Sequence, residues 1–564
     1  MKISWAGVTS KKQHNGGSYR PHFFQMVPLK RHLALFKERS VTICANGYLK
    51  LMLFLVALYA PGWSWGLPSE FDSATDSPVP LSPLAFVADY FNPHIAEKYP
   101  ATHQVLLLPF YGMLLLFWKL KGDIQSISLV WPYGFRDPSQ VFSSLIIVSR
   151  VISSFMAAAT ILSLTKLHFK EFDKASQYFA MILVAGSGVF TYYARVGTVD
   201  VPYLFWWAIS LVYLSFYIFD YTATIKAIVM SAIFSALSIG TKDQAAGLVL
   251  GSGLIILLIQ PESGTTPLTR FRHALLFALV TLVAYTIVAV LPQPMRWMNH
   301  LRHWTLSSAA ITDYIQFDNS FQGHINLLRA TVYRLAHVIS PVGIAFAVIG
   351  LLILIGSHSY RLIAFLLIPI ISYYALIIFN IRFVYERFLL PVAFLLVILA
   401  GIGVISMLHS LRSKNRILYC SARFAVILAL VYHFISGYLP VTYVQIFDLK
   451  RHLTTAIASY VPKGSTIVWK GKEVNLPNSA VYQNYKLILP EGKGPWAKSV
   501  VHVFGPYDAD FAYILSDNQQ LVDQKDAELL HVWRYPDWIN RSIPFNLIER
   551  QYYLYKRAAR LTPN

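Results

Sequence analysis

Charge is scarce in this chain. Only 13% of its 564 residues are Asp, Glu, Lys or Arg, about half the share of an ordinary soluble domain. With 55% hydrophobic residues and a mean hydropathy of +0.48, that scarcity excludes a soluble globular protein. Cysteine is scarcer still. The two present, Cys44 and Cys420, make neither a disulfide framework nor a metal site, and each sits beside an apolar segment. No Walker loop, HExxH, GxSxG or dinucleotide fingerprint occurs in a supporting context. A reaction carried out here does not need ATP bound by this chain, which points to a donor activated beforehand. A cleavable signal peptide is not expected, because residues 1–45 are polar and basic.

What is present is a series of apolar runs long enough to cross a bilayer, which takes roughly 17–25 residues. Candidates lie near 46–61, 104–120, 141–165, 176–193, 199–220, 223–240, 244–260, 272–291, 336–357, 361–380, 386–408 and 416–438. The fold class is therefore a polytopic α-helical membrane protein, with about 12–13 transmembrane helices. Residues 1–45 read as a basic cytoplasmic arm, 46–445 as the membrane domain, and 446–564 as a small soluble α+β domain. In the last, the segments GSTIVWKG, KLILP, SVVHVFG and FAYILSD are β-prone and separated by turn residues. Its entry, DLKRHLTTAIASYVPKG, reads as an amphipathic helix with a stop at Pro462-Lys463-Gly464. The polar stretch 292–335 is too long for a turn, holds His300, His303 and His324, and is expected along the membrane surface.

Net charge is +20 and unevenly placed. Residues 1–45 hold eight Lys or Arg against Glu38 alone, while loop 62–103 holds five acids against Lys98 alone. The positive-inside rule puts the N-terminus in the cytoplasm and loop 62–103 outside. Nucleic acid is not an expected partner, since the bases are scattered and no binding motif accompanies them. Twelve spans place the C-terminal domain inside and Asp200 opposite loop 62–103. One more crossing, expected at 121–140, reverses both, and the thirteen-span arrangement is favoured.

A charge within the bilayer costs on the order of 2.5–3.5 kcal/mol unless paired or hydrated, so charges beside the spans carry information. Asp72 and Asp76 follow the first span, four apart, on one face of any helix there. Such a pair can act as a general base or bind a divalent cation. The alternative is a solvated loop with a helix cap at Asp76-Ser77-Pro78. Lys98 suits an anion near a helix N-terminus, or it snorkels at the interface. His103 is a further donor or an interfacial histidine. Arg195 and Asp200 flank a span boundary and are a pair by one reading. Lys242-Asp243 repeats the pattern, or is loop polarity. Arg382, Glu386 and Arg387 open a long apolar run, where two arginines clamp a phosphate or mark a cytoplasmic end.

Several ordered motifs resemble the membrane-embedded glycosyltransferases of the GT-C fold, and within them the protein O-mannosyltransferases and lipid A aminoarabinose transferases. The acidic start of the first loop is Glu70-Phe71-Asp72-Ser73, where that family has Asp-Glu or Asp-Asp. The loop ends in Lys98-Tyr99-Pro100-Ala101-Thr102-His103, against a Lys/Tyr-Pro-Pro-Leu type motif. A span boundary carries Arg195 and Asp200-Val201-Pro202. A late run reads Arg387-Phe388-Leu389-Leu390-Pro391, and the soluble domain opens with Pro462-Lys463-Gly464-Ser465-Thr466-Ile467. The acidic pair departs from the pattern, so Asp76 can stand in for the missing partner, and Ala101 replaces the second proline.

The resemblance implies inverting transfer of a sugar from a polyprenyl-phosphate donor to a lipid, glycan or protein acceptor. Asp72, with Asp76, would be the catalytic base. Lys98, Arg195, Lys242 and Arg387 would bind the donor phosphate, and Asp200 and His103 would orient the acceptor. No cofactor is required, although a divalent cation on Asp72 and Asp200 is compatible with it. It further implies a bacterial plasma membrane with the active site facing outward. The competing class is a secondary transporter or lipid flippase, but no repeat of the acidic loop or of the Lys-Tyr-Pro motif occurs in the second half. A structural subunit whose charges only pair is the third reading.

Overall fold

The structure is a computed structural model that describes residues 47–69, 77–88, 99–126, 134–220, 224–306, 315–470, 486–488, 513–516, 527–542 and 551–557. The chain divides into a unit of residues Met1–Leu53, described only in the first turns of α1, and a unit of residues Phe54–Asn564. The helices are α1 (Gly47–Gly62), α2 (Leu81–Ala88), α3 (Thr102–Lys121), α4 (Pro138–Ser163), α5 (Lys174–Gly186), α6 (Gly188–Ala194), α7 (Asp200–Phe219), α8 (Ile225–Thr241), α9 (Ala245–Leu258), α10 (Pro267–Tyr285), α11 (Pro294–Leu306), α12 (Phe321–Gly356), α13 (Tyr360–Tyr373), α14 (Leu390–Lys414) and α15 (Arg416–Ser436). Among the described residues, each apolar run picked out in the sequence lies mainly in helix. Among the described residues eight helices are long and apolar enough to cross a membrane, and α1, α8 and α9 are shorter apolar helices.

Side-chain contacts sort the helix ends into two sets. Lys170 meets Glu262 at 3.3 Å, Ser359 donates to Glu171 at 2.8 Å, and the Glu262 amide donates to the Ile218 carbonyl. These contacts gather the C-terminal ends of α4, α7, α9 and α12. The opposite set holds Asp200 at the start of α7, Lys242 just past α8, the start of α3 and the start of α14. Thr102 packs on Gly240, and Arg195 bonds Leu58 near the end of α1. Asp200 and the described part of loop 62–103 therefore share one end of the bundle.

That shared end is reached without a crossing at 121–140. Ile124 and Phe135 form an antiparallel bridge, and the Gln125 amide donates to the Gly134 carbonyl at 2.9 Å. A segment whose two ends lie side by side turns back instead of crossing, which corrects the expectation for this stretch. Gly134 makes the turn possible. Its φ is +81°, and a Cβ there would stand 1.5 Å from the Ser126 carbonyl oxygen. Leu107, Tyr111 and Trp118 of α3 share an apolar cluster with Val141, Phe142 and Leu145 of α4. Those turns precede Arg150, whose guanidinium donates to the Trp63 and Trp65 carbonyls at 2.8 and 2.7 Å, just past α1. Thus α3 runs beside the part of α4 that extends past the end of α1.

Two further expectations change. The run 176–193 is split at Ser187, whose hydroxyl caps α6 through the Phe190 amide. The stretch 292–335 is only partly a surface segment, because from Phe321 it already belongs to the 36-residue helix α12, kinked at Ser340-Pro341.

After α15 come α16 (Tyr438–Ile446) and α17 (Leu449–Tyr460), then strands β1 (Thr466–Lys470), β2 (Lys486–Ile488), β3 (Tyr513–Ser516), β4 (Ala527–Arg534) and β5 (Gln551–Arg557), with α18 (Asp537–Ser542) between β4 and β5. The sheet order is β2-β1-β3-β5-β4. β1 runs parallel to both neighbours, and β5 lies antiparallel between β3 and β4. Three of the four expected strand segments fall on β1, β2 and β3, while SVVHVFG lies outside the described residues. The amphipathic entry is α17, capped by Asp448, whose carboxylate accepts from the Lys450 amide. Its other oxygen accepts from the Gly66 amide at 2.6 Å, which ties the soluble domain to the first loop.

Candidate functional site

Asp200 is the first residue of α7, and Lys242 is the C-terminal cap of α8. A carboxylate at a helix N-terminus and a cation at a C-terminus each complement the local dipole. Ser238 donates to the Tyr203 carbonyl and Ser210 to that of Ser231, holding the two helices antiparallel. The result is a pair, Lys242 Nζ to Asp200 Oδ1, at 2.5 Å. Asp200 is 0% exposed and Lys242 2%. The Lys242 ammonium also faces the rings of Tyr203 and Phe388 at 5.2 Å and Tyr99 at 6.0 Å.

Arg387 approaches the same carboxylate from the turn before α14. Its Nη1 stands 3.9 Å from Asp200 Oδ2, beyond hydrogen-bond range. Two cations thus surround one carboxylate in a buried place. Taking charges out of water is costly unless they are compensated, so these groups are held at this buried place by one another's charge. The turn itself is pinned. Buried Glu386 accepts from Arg334 of α12 at 2.8 Å, and His337 Nδ1 lies 3.8 Å from it.

Of the residues singled out in the sequence, the structure brings together Asp200, Lys242 and Arg387. The pairing considered between Arg195 and Asp200 is replaced by pairing across 42 residues. Arg195 faces elsewhere. Its guanidinium donates to Thr442 Oγ1 at 2.8 Å, Gln445 Oε1 at 3.0 Å and the Leu58 carbonyl at 2.8 Å, joining α1 to α16. His103 is buried in the first turn of α3, and neither ring nitrogen has a hydrogen-bond partner among the described residues. Asp72, Asp76 and Lys98 lie outside the described residues.

Asp243, next to Lys242, is 2.7 Å from His300 Nε2 of α11. This pair and Arg334 were missed in the sequence. Their signals were present as a histidine and an arginine in the polar stretch 292–335, but nothing local says which distant carboxylate each meets. Among the described residues no group of three or more His, Cys, Asp or Glu side chains is placed to hold a metal ion. Asp200 between Lys242 and Arg387 does not fit a divalent cation, because its carboxylate already faces two positive groups.

Compared with known proteins, no family model matches the chain, and no curated protein matches it. Among solved structures, ArnT from Cupriavidus metallidurans bound to undecaprenyl phosphate is 12% identical, with a TM-score of 0.44 over 92% of this chain and 99% of that one. The oligosaccharyltransferase from Archaeoglobus fulgidus in the apo form is 13% identical, with a TM-score of 0.44 over 75% of this chain and 62% of that one. The chain therefore spans less than two thirds of the archaeal enzyme. Identities and scores this low carry no conclusion about activity or substrate.

Proposed function

We propose that the chain is an integral membrane glycosyltransferase that moves a sugar from a polyprenyl-phosphate donor to a lipid, glycan or protein acceptor. The observation that carries this reading is the buried Asp200–Lys242–Arg387 cluster, which brings two cations to one place at the end of the bundle. The described part of loop 62–103 lies at the same end of the bundle. The lipid phosphate, as leaving group, gains negative charge as the glycosidic bond breaks. Preorganised cations in a site sheltered from water stabilise that added charge more than they stabilise the singly charged phosphodiester of the donor.

In this reading Lys242 and Arg387 hold the donor phosphate from below, and Lys98 adds a third cation from the loop. Asp200 orients Lys242. Asp72, with Asp76 as the candidate partner, takes the proton from the acceptor hydroxyl as its oxygen attacks the anomeric carbon, and the configuration there inverts. Arg195 is left out of the phosphate set, because its contacts tie α1 to α16. Charge bias in the first 103 residues supports a site facing outward, with the basic arm inside.

The test is transfer from radiolabelled polyprenyl-phosphate sugars by the purified protein in lipid, with membrane extract as acceptor. Asp72→Asn keeps the shape and removes the base. It should abolish transfer while donor binding stays near normal, and turnover at the wild-type rate would remove Asp72 from this role. A chain that transports instead would move labelled lipid across vesicles and leave the sugar bond intact.

A further inference from the structure

The last membrane helix carries an apolar face that leads into the soluble domain. On α15 the exposed side chains Phe424, Leu428, Val431 and Ile435 recur every three or four residues, and Leu439 and Ile446 carry the row along α16. That spacing is one face of a helix, and on a helix that crosses a bilayer an exposed apolar face meets lipid. The 21 residues of α15 rise about 30 Å, the thickness of the hydrocarbon core. α16 therefore lies at the bilayer boundary. Its level is set at the site end of the bundle, because the Arg195 guanidinium joins Gln445 to the Leu58 carbonyl near the end of α1.

At this level the two parts of the chain share an aromatic patch. The Tyr443 ring of α16 lies 4.6 Å from that of Phe447 and 5.9 Å from that of Trp538 in α18. Ile446 is 53% exposed, Phe447 49% and Trp538 48%. Large apolar side chains thus face outward where the membrane part passes into the soluble domain. The patch is held from behind by buried Tyr535, whose ring stands 6.5 Å from Tyr443 and whose hydroxyl donates to the Val444 carbonyl. Asp537, beside Trp538, is exposed, and a carboxylate there keeps α18 out of the hydrocarbon.

We infer that α18 is a foot by which the soluble domain rests on the bilayer, with Trp538 seated at the headgroup level beside Ile446 and Phe447. Lipid is the occupant because the patch prolongs the lipid-facing row of α15 and α16 at the depth where that row ends. Its chemistry also fits, since Trp and Tyr are the side chains enriched where a bilayer meets water. The soluble domain then has two supports, one on the first loop through Asp448 and Gly66 and one on the membrane. The inference does not depend on the reaction catalysed.

The experiment uses the full-length protein in nanodiscs holding one copy each. The discs are made with phosphatidylcholine brominated either at the headgroup end or at the methyl end of its acyl chains. Emission of the wild type minus that of Trp538→Phe isolates Trp538. That signal should lose most of its intensity to bromine at the headgroup end, and little to bromine at the methyl end or to iodide in the water. Quenching by iodide with no effect of either lipid overturns the inference, and so does strongest quenching from the methyl end. Protection from iodide that appears only in discs holding two copies assigns the patch to a second chain and also overturns it. If Trp538→Phe does not fold, a nitroxide on Asp537→Cys, in a background lacking Cys44 and Cys420, decides the matter. Its collisions with oxygen, relative to those with a water-soluble nickel chelate, should exceed those of a nitroxide on Lys463→Cys, and an equal or lower ratio overturns the inference.

Discussion

At the scale of single residues, the Asp200–Lys242 pair is the place where a small change has the largest effect. Removing one partner of a buried ion pair leaves the other charge uncompensated, at a cost of roughly 3–5 kcal/mol. Asp200→Asn removes the carboxylate that Lys242 and Arg387 both approach and should lower thermal stability markedly. Lys242→Met should destabilise less, because Arg387 is close enough to move toward the orphaned carboxylate. Thermal unfolding of both variants in detergent checks the order, and equal losses would contradict the account. Arg195→Lys tests a different job. A lysine keeps the charge but cannot reach Thr442, Gln445 and Leu58 together, so stability should fall while the apparent affinity for a polyprenyl phosphate stays within about two-fold. Much of this site was legible in the sequence, because a charge beside an apolar run is rare and conspicuous. Its pairing was not. Asp200 has Arg195 five positions away, yet its partners are Lys242 and Arg387, since the fold brings the ends of α7, α8 and α14 to one place.

At the scale of elements, the soluble domain is bound to the membrane part through a few directed contacts. The buried Tyr535 hydroxyl donates to the Val444 carbonyl and accepts from the Leu449 amide, both at 3.2 Å. Burial raises its pKa well above the usual phenol value. The unfolded chain loses this proton near pH 10, while the folded chain keeps it, so this contribution is full below pH 10 and declines above it. Tyr535→Phe should remove that part of the alkaline loss, and the difference between the two unfolding curves from pH 8 to pH 11 measures it. The hairpin between α3 and α4 is a second case. Its segment 121–140 is half apolar and reads as a crossing, because composition reports what a stretch could do in lipid. The deciding feature is Gly134, whose positive φ and lack of Cβ let the chain double back against Ser126. Gly134→Ala should therefore destabilise the hairpin by more than the ordinary Gly-to-Ala gain of about 0.4–1 kcal/mol can offset. Limited proteolysis at 121–140 would report it.

At the scale of the whole molecule, the helix ends sort into two sets, and this predicts labelling. In a background lacking Cys44 and Cys420, Asn319→Cys and Lys463→Cys should react with the same impermeant thiol reagent from the same side. Ser357→Cys should react only after permeabilisation. Labelling of Ser357 and Asn319 from one side would break the two-set arrangement. The places of most apolar segments were readable from hydropathy, and so were the β-prone segments that form β1, β2 and β3. Which helices touch was not, because lipid-facing and protein-facing surfaces are equally apolar and leave no periodic mark.

The carboxylate of Asp448 spans the longest of these separations. It begins α17 and also holds the amide of Gly66, which lies 382 positions earlier. During synthesis the first loop emerges long before the residue that fastens it. Chain emerges at about 5–20 residues per second, so the loop waits on the order of twenty seconds or more for its anchor. Through that interval the acidic loop is held by membrane helices alone. The protein therefore cannot complete its first loop until nearly its last domain is made, and a chain stopped before Asp448 would carry its membrane helices and the loop's contacts with them but lack this last fastening.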